Sequence, residues 1–309
     1  MDSFSLEFLK KLLSNEYSNN YVYNILDGYN VNRKTTIRVN TLISTFEEVI
    51  QFLDKNNISY SAVNDIPNAI IINDSYDVTK TKLYENGAIY LQSLSSMLPP
   101  LILNPKEDAH ILDMCAAPGS KTTQLAALTN NKACITACEF DKIRAERLKY
   151  NLNKLGTSRV TVLVKDSRNL DEFFRFDTIM LDAPCSGSGT VLLNEESKQV
   201  FNQKVIDKCQ KRQISLLKKG LSMLNKNGVL VYSTCSILKE ENEQVLKACL
   251  NGNFELIPID RSQYDLPYLP SLENTITIAP TELYEGFFVV KIRRIKFTLY
   301  YKQNITKLC

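Results

Sequence analysis

Two cysteines stand where strand-like runs end. Leu181-Asp-Ala-Pro-Cys-Ser-Gly-Ser-Gly189 sets Cys185 on a constrained backbone, with an acid, Asp182, a proline and two glycines around it. Val229-Leu-Val-Tyr-Ser-Thr-Cys235-Ser ends at a second thiol, Cys235. A thiolate is a strong nucleophile near neutral pH, so either residue is a candidate for covalent chemistry. The alternative for Cys185 is a buried cysteine in a glycine-rich turn, because free cysteine packs well in interiors.

Three other strand ends carry polar groups. In Asp113-Met-Cys-Ala-Ala-Pro-Gly-Ser-Lys121, small residues and Gly119 let backbone approach a ligand before a helix begins. A phosphate loop of the G-x-x-x-x-G-K-[ST] kind is disfavoured, because Met114 stands at the first glycine position and Ser120 precedes Lys121. Glu139 ends the next strand about 20 residues after Gly119, the distance at which an acid accepts from ribose hydroxyls; an acid opening a helix is the alternative. Asp166, after VTVLVK, is suited to an adenine amino group or to capping a turn.

These residues need a scaffold, and the order of the runs supplies one. HILDMCA, ACITACE, VTVLVKD, DTIMLDA and GVLVYST read as strands, with helices over 121–129, 141–155, 205–224 and 239–250 between or after them. Such alternation predicts a doubly wound, mainly parallel sheet, in which ligands bind beyond the carboxyl ends of the strands. FELIPI and GFFVVKIRR follow, joined by an irregular stretch, and predict one late antiparallel strand. Before this region, residues 1–28 read as helical, TTIRVNTL, YSAV and AIIIN as strands, and STFEEVIQFLDKNN as a capped amphipathic helix. The expected division is a small α+β unit over 1–85 and a larger domain over 86–309.

Composition narrows the chemistry. With 309 residues, 44% hydrophobic and 23% charged, the chain can bury a sizeable core. No apolar run approaches the roughly 18 residues of a membrane helix, and no leader is evident, which predicts a soluble cytoplasmic protein. One histidine, His110, disfavours histidine-dependent hydrolases, and Cys134 with Cys138 is a lone C-x3-C without a second pair, so no metal is expected. The eight cysteines read as reduced thiols. The net charge is only +3, yet residues 291–309 hold Lys291, Arg293, Arg294, Lys296, Lys302 and Lys307 with no acid. Phe297, Tyr300 and Tyr301 interleave them, a mixture suited to RNA contact and equally to a solvated strand and tail.

Taken in order, RVNTL (38–42), QSLSSMLPPLILNP (92–105), DMCAAPGSKT, LDAPCSGSGT, YSTCS followed by EEN, and GFFVVKIRR resemble the Nop/Sun (Rsm-type) RNA 5-methylcytosine methyltransferases over most of the chain. The sequence departs from that pattern at Ser120, where APGG is the commoner form. The resemblance implies a Rossmann-like class I methyltransferase with a seven-stranded sheet, preceded by an RNA-recognition-like unit. It implies S-adenosylmethionine as cofactor, held by Cys115, Ala116, Ala117, Pro118, Gly119, Ser120, Lys121, Glu139, Arg144, Asp166 and Asp182. Arg147 lies close enough to compete for the place of Arg144.

The catalytic roles also come from the resemblance. C5 of cytosine is a poor nucleophile, and a thiolate adding to C6 activates it. Cys235 is implied as the attacking thiol and Cys185 as the one that helps release the product. Asp182 would hold the N3/N4 edge of the base, and Lys121 would contact the base or lower the thiol pKa. The implied partner is ribosomal or transfer RNA, met by a monomer. Arg33, Lys34 and Arg38 lie near a strand able to face RNA, their alternative being a charged edge strand. The chain ends soon after its last strand, so the extra C-terminal RNA-binding domains of some relatives are not expected. A non-catalytic RNA-binding assembly factor on the same fold is the competing reading.

Overall fold

The structure, a computed structural model, describes residues 3–193 and 201–295. In chain order its elements are α1 (Ser3–Glu16), α2 (Asn19–Gly28), β1 (Thr36–Val39), α3 (Phe46–Lys55), β2 (Tyr60–Ala62), β3 (Ala69–Ile72), α4 (Lys82–Glu85), β4 (Ile89–Leu91) and α5 (Leu94–Leu103). Then follow β5 (His110–Asp113), α6 (Ser120–Leu128), β6 (Cys134–Cys138), α7 (Lys142–Lys154), β7 (Val160–Leu163), β8 (Phe176–Asp182), α8 (Gln203–Met223) and β9 (Leu224–Thr234). The last are α9 (Glu243–Cys249), β10 (Phe254–Ile257), β11 (Tyr268–Leu269), β12 (Thr275–Ile278) and β13 (Phe287–Arg294).

The large sheet places β7, β6, β5, β8 and β9 side by side, all parallel. Strand order reverses between β5 and β8, and that reversal opens a crevice above their carboxyl ends. β13 runs antiparallel beside β9, with β12 on its first half and β10 on its second. The expected seven strands become nine among the described residues, because β11 and β12 form inside the stretch that reads as irregular. The β-branched alternation of Thr275-Ile-Thr-Ile278 is the local cause, and all four residues are buried.

Side chains alternate across this sheet as pleating requires. Val231, Phe287 and Val289 enter one core layer with α5. Leu230, Tyr232, Phe288 and Val290 enter the other, which includes Leu216, Leu217 and Leu221 of α8.

The small sheet has the order β2-β3-β1-β4 and is antiparallel throughout, with β4 lying past residue 85. Thr45 starts α3 through a capping box with Glu48, and Val49 and Leu53 pack on Ile37, Val39 and Ile70. Of the three basic residues expected near RNA, Arg38 is buried, Arg33 half-buried and Lys34 exposed. Arg38 is 3% exposed and donates to Gln92 Oε1 (2.7 Å), Ser120 O (2.8 Å) and Thr123 Oγ1 (2.9 Å), so it ties β1 to α6. Arg33 donates to Gly189 O at 3.3 Å, and Lys34 faces Glu282 at 3.9 Å. At the basic C-terminal edge, Lys291 donates to Ile102 O, Arg293 pairs with Glu255, and Arg294 caps the carbonyl end of α8 through Leu221 O and Leu224 O. Lys296, Phe297, Tyr300, Tyr301, Lys302 and Lys307 lie outside the described residues. Among those described, no helix is long and apolar enough to cross a membrane.

Candidate active site

The loop after β5 turns sharply to reach α6. A cis Ala117–Pro118 peptide precedes Gly119, whose φ of +111° is open to glycine at little cost. Ser120 already belongs to the helix, so the departure from APGG falls where no special backbone geometry is needed. Below the turn, Asp113 is 1% exposed and accepts from Thr122 Oγ1 at 2.7 Å; burial pushes its carboxyl up to about 6.

Arg144 clasps two parts of the site. Its guanidinium donates to Ala117 O at 2.8 Å and pairs with Glu139 at 3.4 Å. Glu139 is 3% exposed, and its other oxygen accepts from Asp141 N at 3.0 Å. Arg147 is exposed and is not among the residues lining the cleft. Asp166, at the end of the adjoining loop, accepts from the backbone and side chain of Arg168, which holds its carboxyl below the usual range.

Glu139, Arg144 and Asp166 border a cleft of about 190 Å³, together with Cys115, Ala117, Phe140, Asp182, Pro184, Leu216 and both cysteines. Lys121 reaches it through Asp182. Ala116, Pro118, Gly119 and Ser120 complete the turn without lining the cleft, and Gly119 packs on Leu148 instead.

The two thiols converge. Cys185 Sγ and Cys235 Sγ are 3.0 Å apart, although 50 residues separate them in sequence. Their loops are stitched together by Gly189 N to Cys235 O (3.0 Å), Ser188 Oγ to Ser236 Oγ (2.8 Å) and Ile237 N to Ser188 Oγ (3.0 Å). The bond to Cys235, followed by burial, pushes the Cys185 thiol well above the ordinary range. Asp182 lies beside them with both oxygens engaged, Oδ1 by Ser233 Oγ and Oδ2 by Lys121 Nζ, each at 2.8 Å. Lys121 also donates to Ser96 Oγ at 2.7 Å.

Several participants carry no local signal in sequence. Ser96 arrives on α5, Ser233 by register with Asp182, and Arg212 on α8, its guanidinium 4.7 Å from the centre of the Phe140 ring. The N-terminal helices brace the cysteine loops as well, Tyr17 donating to Ile237 O (2.7 Å) and Tyr29 to Ser188 O (2.5 Å).

Residues 100–293 match the family described as 16S rRNA methyltransferase RsmB/F, and residues 7–79 match the RsmF/B-like methyltransferase ferredoxin-like domain. A mouse protein named 28S rRNA (cytosine-C(5))-methyltransferase is 31% identical over 93% of this chain and 38% of its own length. The tRNA (cytosine(49)-C(5))-methyltransferase of Pyrococcus abyssi is 33% identical over 84% of this chain and 88% of its own. A crystal structure of a methyltransferase homologue from Pyrococcus horikoshii superposes with a TM-score of 0.81 at 32% identity, covering 95% of this chain and 100% of that one. The chain spans less than two thirds of the rRNA relatives it matches, 38% of the mouse protein and 58% of one from Aeromonas salmonicida.

Proposed function

The chain belongs to the RsmB/F methyltransferase family, and on that premise we propose that it transfers a methyl group from S-adenosylmethionine to C5 of cytosine in RNA. The observation that carries the reading is the pair of sulfurs 3.0 Å apart beside the Asp182–Lys121 ion pair. One base presented there meets a nucleophile, a second thiol and a carboxylate together.

The cleft suits the methyl donor. Glu139 and Asp166 offer acceptors for ribose hydroxyls and an adenine amino group, between walls formed by Ala117, Phe140, Pro184 and Leu216. Cys115, Ala117, Arg144 and Asp182 complete the proposed binding set along the cleft, and Ala116, Pro118, Gly119, Ser120 and Lys121 shape the turn that carries them. S-adenosylmethionine supplies an electrophilic methyl group.

Cys235 Sγ adds to C6 of cytosine and converts C5 into an enamine carbon able to take that methyl. Asp182, fixed by Ser233 and Lys121, holds the N3/N4 edge and favours its protonated, electrophilic form. A base then takes the C5 proton, the C5–H electron pair re-forms the C5–C6 double bond, and the C6–S bond breaks to free Cys235 as thiolate, with Cys185 assisting release. The division of roles between Cys235 and Cys185 is carried over from the resemblance of YSTCS and LDAPCS to the family.

The proposed substrate is ribosomal or transfer RNA, met by a single copy in the cytoplasm. Residues 1–85 would orient the RNA and 86–309 perform the transfer. The test is methyl transfer from labelled S-adenosylmethionine to transcribed rRNA and tRNA, with bisulfite sequencing to locate the product. Protein that binds S-adenosylhomocysteine but methylates neither RNA, or that methylates an exocyclic nitrogen, would overturn the proposal.

A further inference from the structure

Glu241 and Asn242 are adjacent in sequence and 0% and 1% exposed, and neither is among the residues lining the cleft. Each nevertheless brackets one cysteine. Glu241 accepts from Ser186 N at 2.8 Å and from Ser186 Oγ at 2.6 Å. Before the cysteine, Gln213 Nε2 donates both to Pro184 O (3.0 Å) and to Glu241 Oε1 (3.2 Å). Residues 184 and 186 are thereby tied to one carboxylate, with Cys185 between them.

Asn242 treats Cys235 the same way. Its Oδ1 accepts from Thr234 Oγ1 at 2.6 Å, and its Nδ2 donates to Ser236 O at 2.9 Å. The residues on either side of Cys235 therefore share one amide. A buried carboxylate is costly unless its acceptors are filled, and here Ser186 and Gln213 fill them. The acid and the amide follow α8 and β9 into the gap between the loops, where one dipeptide reaches both.

We infer that Glu241 and Asn242 are positioning residues that fix the two thiols separately, Glu241 the thiol that releases product and Asn242 the thiol that attacks. The inference rests on the covalent reading proposed above. Two sulfurs 3.0 Å apart must act in turn around one base, and a misplacement of about 1 Å costs on the order of 100-fold in rate.

The experiment compares Glu241→Gln and Asn242→Asp in the full chain, with Cys185→Ala and Cys235→Ala alongside. Each protein receives S-adenosylmethionine and a transcribed mixture of rRNA and tRNA; turnover, denaturant-stable protein–RNA adduct and melting temperature are read. Glu241→Gln should accumulate adduct above wild type while turnover falls about tenfold, and Asn242→Asp should lose adduct and turnover together by about tenfold. A general loss of packing would lower both readouts in both variants. If either variant fails to fold, Ser186→Ala and Thr234→Val remove one contact from each bracket and carry the same comparison.

Indistinguishable adduct behaviour, or wild-type turnover in either variant, overturns the inference. If the cysteine controls exchange phenotypes, the roles of the thiols are reversed. The bracketing then stands only if each variant still copies the cysteine it flanks.

Discussion

Asp182 and Ser233 are register partners on β8 and β9, and Ser233 Oγ donates to Asp182 Oδ1 at 2.8 Å. That bond leaves Oδ2 to Lys121 and fixes the plane of the carboxylate beside the thiols. A preorganised acceptor works only in the orientation its supports impose. Asp182→Asn should lower kcat on RNA by about 100-fold or more, and Ser233→Ala by about 3- to 10-fold, with S-adenosylhomocysteine affinity changed less in Ser233→Ala. Single-turnover methyl transfer checks both, and an unimpaired Asp182→Asn would remove the carboxylate from the proposed mechanism.

The thiol pair makes opposed predictions. Cys235→Ala should abolish methyl transfer and the covalent adduct, whereas Cys185→Ala should form adduct and retain it, because attack survives and release does not. Gel analysis under denaturing conditions separates these outcomes. The reverse pattern would exchange the assigned roles.

Arg38 should behave as a structural residue. Arg38→Met leaves Gln92 Oε1 and Thr123 Oγ1 without the donor they share inside the protein, at a cost of about 2–4 kcal/mol. Urea unfolding measures the loss. The salt dependence of RNA binding should keep its wild-type slope, since Arg38 neutralises no phosphate; a slope reduced by about one would place Arg38 on the RNA after all.

Glu16 predicts a pH dependence of stability. Both its oxygens accept from Lys239 N at 3.0 Å, in the segment after Cys235, and burial pushes its carboxyl up from 4.5 to about 8. Below pH 4.5 the group is neutral in folded and unfolded chains. Between 4.5 and about 8 the unfolded chain loses its proton first, so stability falls as pH rises, and above about 8 the loss is complete. Glu16→Gln should therefore gain on wild type by on the order of 1 kcal/mol between pH 5 and pH 8.5, read from urea midpoints. Parallel pH curves for the two proteins would contradict the burial argument.

Much of the fold was legible because its signals are local. Strand–helix alternation from His110 to Cys249 follows from hydrophobic period, and the start of α3 from a Thr45–Glu48 capping pair. β4 is only three residues long, and its place in the small sheet depends on pairing with β1. β11 is shorter still and exists through its partner β12.

For the site, residue order alone put Cys115, Glu139, Asp166, Asp182, Cys185 and Cys235 at strand ends, since parallel alternation brings every carboxyl end to one edge. Distance was another matter. That Cys185 and Cys235 meet at 3.0 Å depends on β8 and β9 being neighbours in register, a long-range pairing that no local pattern encodes. The same holds for Arg38, whose charge in a strand reads as an exposed edge until α6 is packed over it. Sequence determined which chemical groups this chain owns and which end of the sheet they occupy; tertiary packing decided which of them touch, because contact across strands is set by sheet order and register.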